Sequence, residues 1–151
     1  MKKIILIICL LVISAIVIFS FKGVPQVKAT DSKPSASLGN QVVAYYFHGN
    51  FRCYTCHTME QYSKEAIQAN FKDALTSGKL EFKVVNVEER GNEHFTQDYQ
   101  LYTKSLVLSL AKDGKEIKSK NLTKIWEYVR DKQRFIDYVT EEVNNFLKEA
   151  Q

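Results

Sequence analysis

The sequence predicts an α/β domain: a mixed four-stranded sheet flanked by helices, in the order β-α-β-α-β-β-α. Three observations carry this. Apolar β-branched runs alternate with helical patterns through the middle of the chain. An Asp113-Gly114 pair marks a tight hairpin near the end. Beyond Leu122 a long helical pattern closes the sequence.

Gln41 to His48, QVVAYYFH, is β-branched and aromatic without alternation, which suits a central strand buried on both faces. Gly49-Asn50 breaks it. Tyr54 to Thr76 is helical, with Met59, Tyr62, Ala66, Phe71 and Leu75 on one side, and Ser77-Gly78 stops it. Leu80 to Val87 is the second strand, led by Val84, Val85 and Val87. After Gly91-Asn92, Glu93 to Leu101 forms a short helix with Phe95 and Tyr99 four apart. Ser105 to Ala111 is the third strand. Glu116 to Asn121 returns as a charged edge strand. Leu122 to Ala150 is a long helix carrying Trp126, Val129, Ile136, Val139, Val143, Phe146 and Leu147, with Thr123 as its cap. The polar run Arg130 to Arg134 invites a break. Helical connections between the first three strands imply right-handed crossovers and a parallel arrangement, with the fourth strand antiparallel.

The domain is preceded by a different kind of segment. Met1-Lys2-Lys3 leads into an apolar run from Ile4 to Phe21. It is long for the core of a signal peptide and just long enough to span a bilayer. Residues 1–29 are therefore either a cleaved leader, with Val27-Lys28-Ala29 as the cleavage site, or a retained anchor. Lys2 and Lys3 hold the N-terminus inside, so both alternatives put the domain outside the cytoplasm, at the cell surface or in the periplasm. Cys9 is an apolar filler of that run. Residues 30–40 form a flexible linker rich in Ser, with Pro and Gly, and residues 41–150 form the domain.

Charge excludes one class of partner. The net charge is +4, but Lys2, Lys3, Lys22 and Lys28 all precede the first acid, Asp31. The remaining chain carries 17 basic and 17 acidic residues, since those four come out of 21. No basic footprint for nucleic acid exists.

The chemistry is concentrated in Phe51 to His57, FRCYTCH. A Cys-x-x-Cys pair opens and closes a disulfide, whereas Cys-x-x-Cys-His also fits attachment of a c-type haem. Cys53 falls at the end of the loop after the first strand, and Cys56 in the first turn of the following helix. Unpaired N–H groups and the helix dipole stabilise a thiolate there, and Arg52 adds a positive charge. Cys53 is then the attacking thiol and Cys56 the resolving one. The loop they close is too short for a structural staple to add much stability. Tyr54 lies between the cysteines and shapes the partner-facing surface with Thr55. His48, at the end of the strand, either tunes the thiolate or bonds to backbone. The haem alternative takes His57 as axial ligand but finds no apolar pocket among helices. A metal module would add His48, His57 or His94 to the two thiolates to hold copper or zinc. His94 sits in a polar helix, as a surface histidine would.

The strand, loop, CYTC and helix, set in this element order, resemble the thioredoxin-like family over residues 41–148. The resemblance implies an extracytoplasmic thiol–disulfide oxidoreductase with Cys53 and Cys56 as a redox-active disulfide, and no other cofactor. Its partner would be a protein dithiol or disulfide. The stretch YYFHGNFRCYTC is similar to a narrower bacterial group, named as a small subunit of nitrophenyl-compound nitroreductase and associated with arsenic resistance. That would imply an electron-transfer subunit of a nitroaromatic or arsenical reductase. The sequence departs from the family in three places. Tyr54-Thr55 replaces Gly-Pro between the cysteines, residues 41–52 contain no acid, and Thr103-Lys104-Ser105 replaces the usual cis-proline segment. A cis bond without proline costs about 2.5–4 kcal/mol, so a trans bond is expected there, with Lys104 and Ser105 facing the dithiol.

Overall fold

The computed structural model describes residues 39–151. The leader, the apolar run 4–21, Cys9 and most of the linker lie outside the described residues. Among those described, no helix is long and apolar enough to cross a membrane.

Four strands form one sheet in the order β2-β1-β3-β4: β1 (Gln41–His48), β2 (Leu80–Asn86), β3 (Ser105–Lys112) and β4 (Lys115–Asn121). Among the described residues five helices accompany them: α1 (Tyr54–Asn70), α2 (Lys72–Thr76), α3 (His94–Asp98), α4 (Ile125–Tyr128) and α5 (Lys132–Glu149). The expected mixed α/β sheet is present. The central β1 has Val42, Val43, Ala44, Tyr46 and Phe47 buried, as its contiguous apolar sequence implies for a strand covered on both faces.

One strand direction differs from expectation. β1 and β2 are parallel, but β3 runs antiparallel to β1, with Phe47 opposite Ser105 and Val43 opposite Ser109. The connection after β2 contains only the five-residue α3. The rest of the connection closes on itself in turns, the Asn92 N–H donating to the Glu89 carbonyl and the Leu101 N–H to the Thr96 carbonyl, so it folds up at that end of the sheet. The chain therefore re-enters the sheet at the end where it left. The hairpin from β3 to β4 is as expected: Asp113 and Gly114 both have positive φ, at 49° and 78°.

The helices are shorter than the sequence pattern suggested. The first breaks at Phe71, whose φ of −129° and ψ of 36° separate α1 from α2. The Asn70 amide bonds back to the Ala66 carbonyl at 2.8 Å, competing with continuation of the helix. The last helical stretch divides at the polar run into α4 and α5. Thr123 does not cap the long helix. Asp131 does, accepting from the Arg134 N–H at 3.1 Å.

Two cores result. Under α1 and α5 lie Val42, Ala44, Tyr46, Met59, Leu106 and Leu108, closed by Phe135, Val139, Val143 and Phe146 at helical spacing. Phe135 is fully buried, although its neighbour Ile136 was the expected core residue. The opposite face is a smaller aromatic core of Phe47, Leu101 and Val107 with Tyr45, Phe95 and Tyr99. Tyr46 of the larger core and Phe47 of the smaller one stand next to each other near the end of β1 from which the dithiol loop leaves.

Candidate active site

The loop from Gly49 to Arg52 is braced from below. The Val87 N–H donates to the His48 carbonyl at 2.8 Å, and the Asn50 N–H donates to Glu88 at 3.1 Å. The Glu88 carboxylate occupies the space where a Cβ on Gly49 would stand, so a larger residue there would displace that side chain. The loop delivers Cys53 to the N-cap of α1 in an extended conformation, and its sulfur accepts from the Cys56 N–H at 3.4 Å.

Both cysteines are free thiols, with Sγ atoms 2.7 Å apart. Their environments differ. Cys56 is buried at 2% exposure, while Cys53 is partly open. The hydrogen bond from the Cys56 thiol, together with the Cys56 N–H, holds the Cys53 thiol below the ordinary cysteine range. Burial, and then the hydrogen bond to Cys53, push the Cys56 thiol up. When the pair carries a single proton, it therefore sits on Cys56 rather than on the accessible sulfur. The two shifts give the pair an accessible nucleophile and a protected second thiol.

Tyr46 was expected only as core. Its buried hydroxyl donates to the Cys56 carbonyl at 2.6 Å, tying the central strand to the first turn of α1. Burial, reinforced by the nearby Cys56, raises its own pKa, so it remains a donor. No sequence signal separates this tyrosine from Tyr45, which faces the other core.

The remaining sequence-predicted residues divide. The Arg52 guanidinium is paired with Glu60, and its Nε is buried without a partner. Tyr54 is 86% exposed, and Thr55 sits beside it. His48 Nδ1 donates to the neighbouring Gly49 carbonyl at 2.9 Å. His94 pairs with Asp98 at 2.7 Å on the exposed face of α3. Ser105 is buried, with its hydroxyl donating to the Thr103 carbonyl at 3.0 Å. Lys104 is close enough to the dithiol that its charge lowers the Cys56 pKa, against the larger effect of burial. The Lys104–Ser105 peptide is trans. Trp126 of α4 donates its indole N–H to the Lys104 carbonyl at 3.0 Å, so this loop is held by a side chain from another element.

A covalently attached haem does not fit these residues. Cys56 is buried under the helix, while the adjacent His57 is exposed. One haem would have to reach both. Nor do the thiols gather a metal set: among the described residues no group of three His, Cys, Asp or Glu is placed to hold an ion.

Beside the dithiol, a groove of about 590 Å³ runs between α1 and α4. Tyr54, Thr55, Tyr62 and Trp126 wall it, and Arg130 stands at its rim.

No family model matches the chain, and no curated protein is similar to it. Among solved structures, it is similar to thioredoxin O2 of Arabidopsis thaliana in its oxidized state, at 11% identity and a TM-score of 0.38 over 64% of this chain and 76% of that one. It is also similar to Fasciola hepatica thioredoxin, at 22% identity and a TM-score of 0.36 over 60% of this chain and 79% of that one. Likenesses at this level assign no property to the chain. Its own strand order, with an antiparallel third strand and a Cys-x-x-Cys at the start of the first helix, defines a thioredoxin-like fold.

Proposed function

We propose that the protein carries out thiol–disulfide exchange, or passes electron pairs, through Cys53 and Cys56. The observation that carries this reading is the opposite tuning of two touching thiols, one accessible with a lowered pKa and one buried with a raised pKa. In the reducing direction the Cys53 thiolate attacks a partner disulfide, forming a mixed disulfide and releasing one partner thiolate. Cys56 then loses its proton and attacks Cys53. The Cys53–Cys56 bond forms, the mixed disulfide breaks, and the second partner sulfur leaves as thiolate and takes up a proton. Two electrons pass from the dithiol to the partner. The oxidising direction is the reverse of the same steps.

The partner in this reading is a protein dithiol or disulfide outside the cytoplasm. Support for that location comes from Lys2, Lys3 and the apolar run 4–21. The narrower sequence similarity would make the partner a nitroaromatic or arsenical reductase, for which YYFHGNFRCYTC is the support. Replacing Cys53 with Ser should abolish exchange. Replacing Cys56 with Ser should leave the first attack intact and accumulate a mixed disulfide at Cys53. Exchange that survives in the Cys53→Ser protein would overturn the mechanism.

A further inference from the structure

The groove between α1 and α4 is placed for a partner, and its chemistry is one-sided. Tyr54 and Thr55 are the two residues between the cysteines, so the groove begins within one helical turn of the dithiol, although neither sulfur lines it. Its walls are aromatic: Tyr54 at 86% exposure and Trp126 at 39% present open ring surface to water. The only charged residue lining it is Arg130.

Arg130 stands out against its neighbours. Lys132, over the Tyr62 ring, is paired with Glu65 at 2.8 Å, and Arg134 faces Glu127 at 3.7 Å. Arg52, nearest to Cys53 in sequence, is neutralised by Glu60. Among the described residues Arg130 takes part in no ion pair, and neither does Lys104, whose carbonyl is held by the groove residue Trp126. One uncompensated cation, Arg130, therefore lines an aromatic trough near the dithiol, and a second, Lys104, sits in the loop whose backbone Trp126 holds. A planar guanidinium at the rim suits a carboxylate, and the tyrosine and tryptophan rings suit an apolar or aromatic side chain next to it.

We infer that this groove selects, among protein disulfides, a segment in which the reacting cysteine is flanked by an acidic residue that pairs with Arg130. This rests on the dithiol reading above and adds the substrate class to it. The partner's carboxylate would sit at the rim while its cysteine faces Cys53. Exchange itself follows the steps already given, so Arg130 contributes to recognition and touches no reacting atom.

The test uses the full-length reduced chain and three short peptides. Each carries one cysteine as a mixed disulfide with thionitrobenzoate, and they differ in a single residue two positions from the cysteine: Glu, Gln or Lys. Attack at the peptide sulfur by Cys53 releases coloured thionitrobenzoate, and the second-order rate constant is read from it. The Glu peptide should react about three- to fivefold faster than the Gln peptide, the range of a partly exposed ion pair, and the Lys peptide slowest. Added salt should compress the series. Arg130→Gln should remove the Glu preference, and Arg130→Lys should restore part of it. Equal rates for all three peptides in the unmodified protein would overturn the inference and leave the dithiol mechanism standing. A Glu preference that persists in Arg130→Gln would overturn the assignment to Arg130. If no peptide reacts, the exchange reading fails, and this inference with it.

Discussion

The Tyr46 hydroxyl lies 2.6 Å from the Cys56 carbonyl, in the interior of the protein. This bond joins the middle of the central strand to the first turn of α1, and so fixes the buried sulfur relative to the sheet. The helix alone would not do this, because its first turn has few internal bonds to keep it from fraying. Removing the hydroxyl with Tyr46→Phe keeps the ring and loses the bond. Stability should fall by about 1 kcal/mol, visible as a lowered denaturation midpoint in reduced protein. Unchanged stability would mean that the bond does not anchor the turn.

The two thiols should titrate in a fixed order. Cys53 ionises below the ordinary cysteine range and Cys56 above it. Alkylation of reduced protein, followed by peptide mapping, should modify Cys53 first at neutral pH, with Cys56 joining only in alkali. Linkage gives the stability signs. For Cys53, the unfolded chain holds the proton that the folded chain has lost, so its contribution grows as pH rises from the lowered pKa to about 9 and disappears as pH falls through that lowered pKa. For Cys56 the order reverses. The folded chain keeps its proton above pH 9 after the unfolded chain has lost it, so stability falls as pH rises further. Modification of both thiols at the same pH would contradict the asymmetry.

The Lys104 loop should depend on Trp126. With Trp126→Phe the indole donor to the Lys104 carbonyl is lost, at a cost of about 1 kcal/mol. Because Lys104 lowers the Cys56 pKa, a freed loop should let that pKa rise further. The pH dependence of Cys56 alkylation in a Cys53→Ser background reads this directly. Lys104→Met should move it in the same direction, and the two substitutions together should add little. If both leave the profile in place, the loop does not act on the dithiol.

The break in the C-terminal helical segment makes a prediction about caps. Asp131→Ala should cost about 1 kcal/mol, since it frees the Arg134 N–H at the start of α5. Thr123→Ala should leave the denaturation midpoint within the scatter of surface substitutions. The reverse pattern would restore a single helix capped at Thr123.

Much of this architecture was legible in the residues, and the exceptions have identifiable causes. Element order, the buried character of β1, the charged edge β4 and the Asp113-Gly114 turn all follow from local patterns, and the structure agrees. The direction of β3 does not follow from such patterns. It depends on whether the chain between β2 and β3 travels back along the sheet, and here its turns and five-residue helix fold up at one end instead. The dithiol was plain at its spacing. Its surroundings were not, because they are assembled by tertiary contact. Glu60 reaches Arg52 across the first turns of α1, Tyr46 reaches up from a strand, and Trp126 reaches across from α4. The partner of Arg52, Glu60, is eight residues away and does not show in the local sequence.

The central claim is that Cys53 and Cys56 form one reversible redox pair. The most direct test is to equilibrate the full-length protein in thiol–disulfide buffers of graded potential and count the free thiols at each. A single two-electron transition between the dithiol and an intramolecular Cys53–Cys56 disulfide is expected. A midpoint near about −270 mV would mark a reductant and one near about −120 mV an oxidant. Two cysteines that never pair with each other, at any potential, would contradict it.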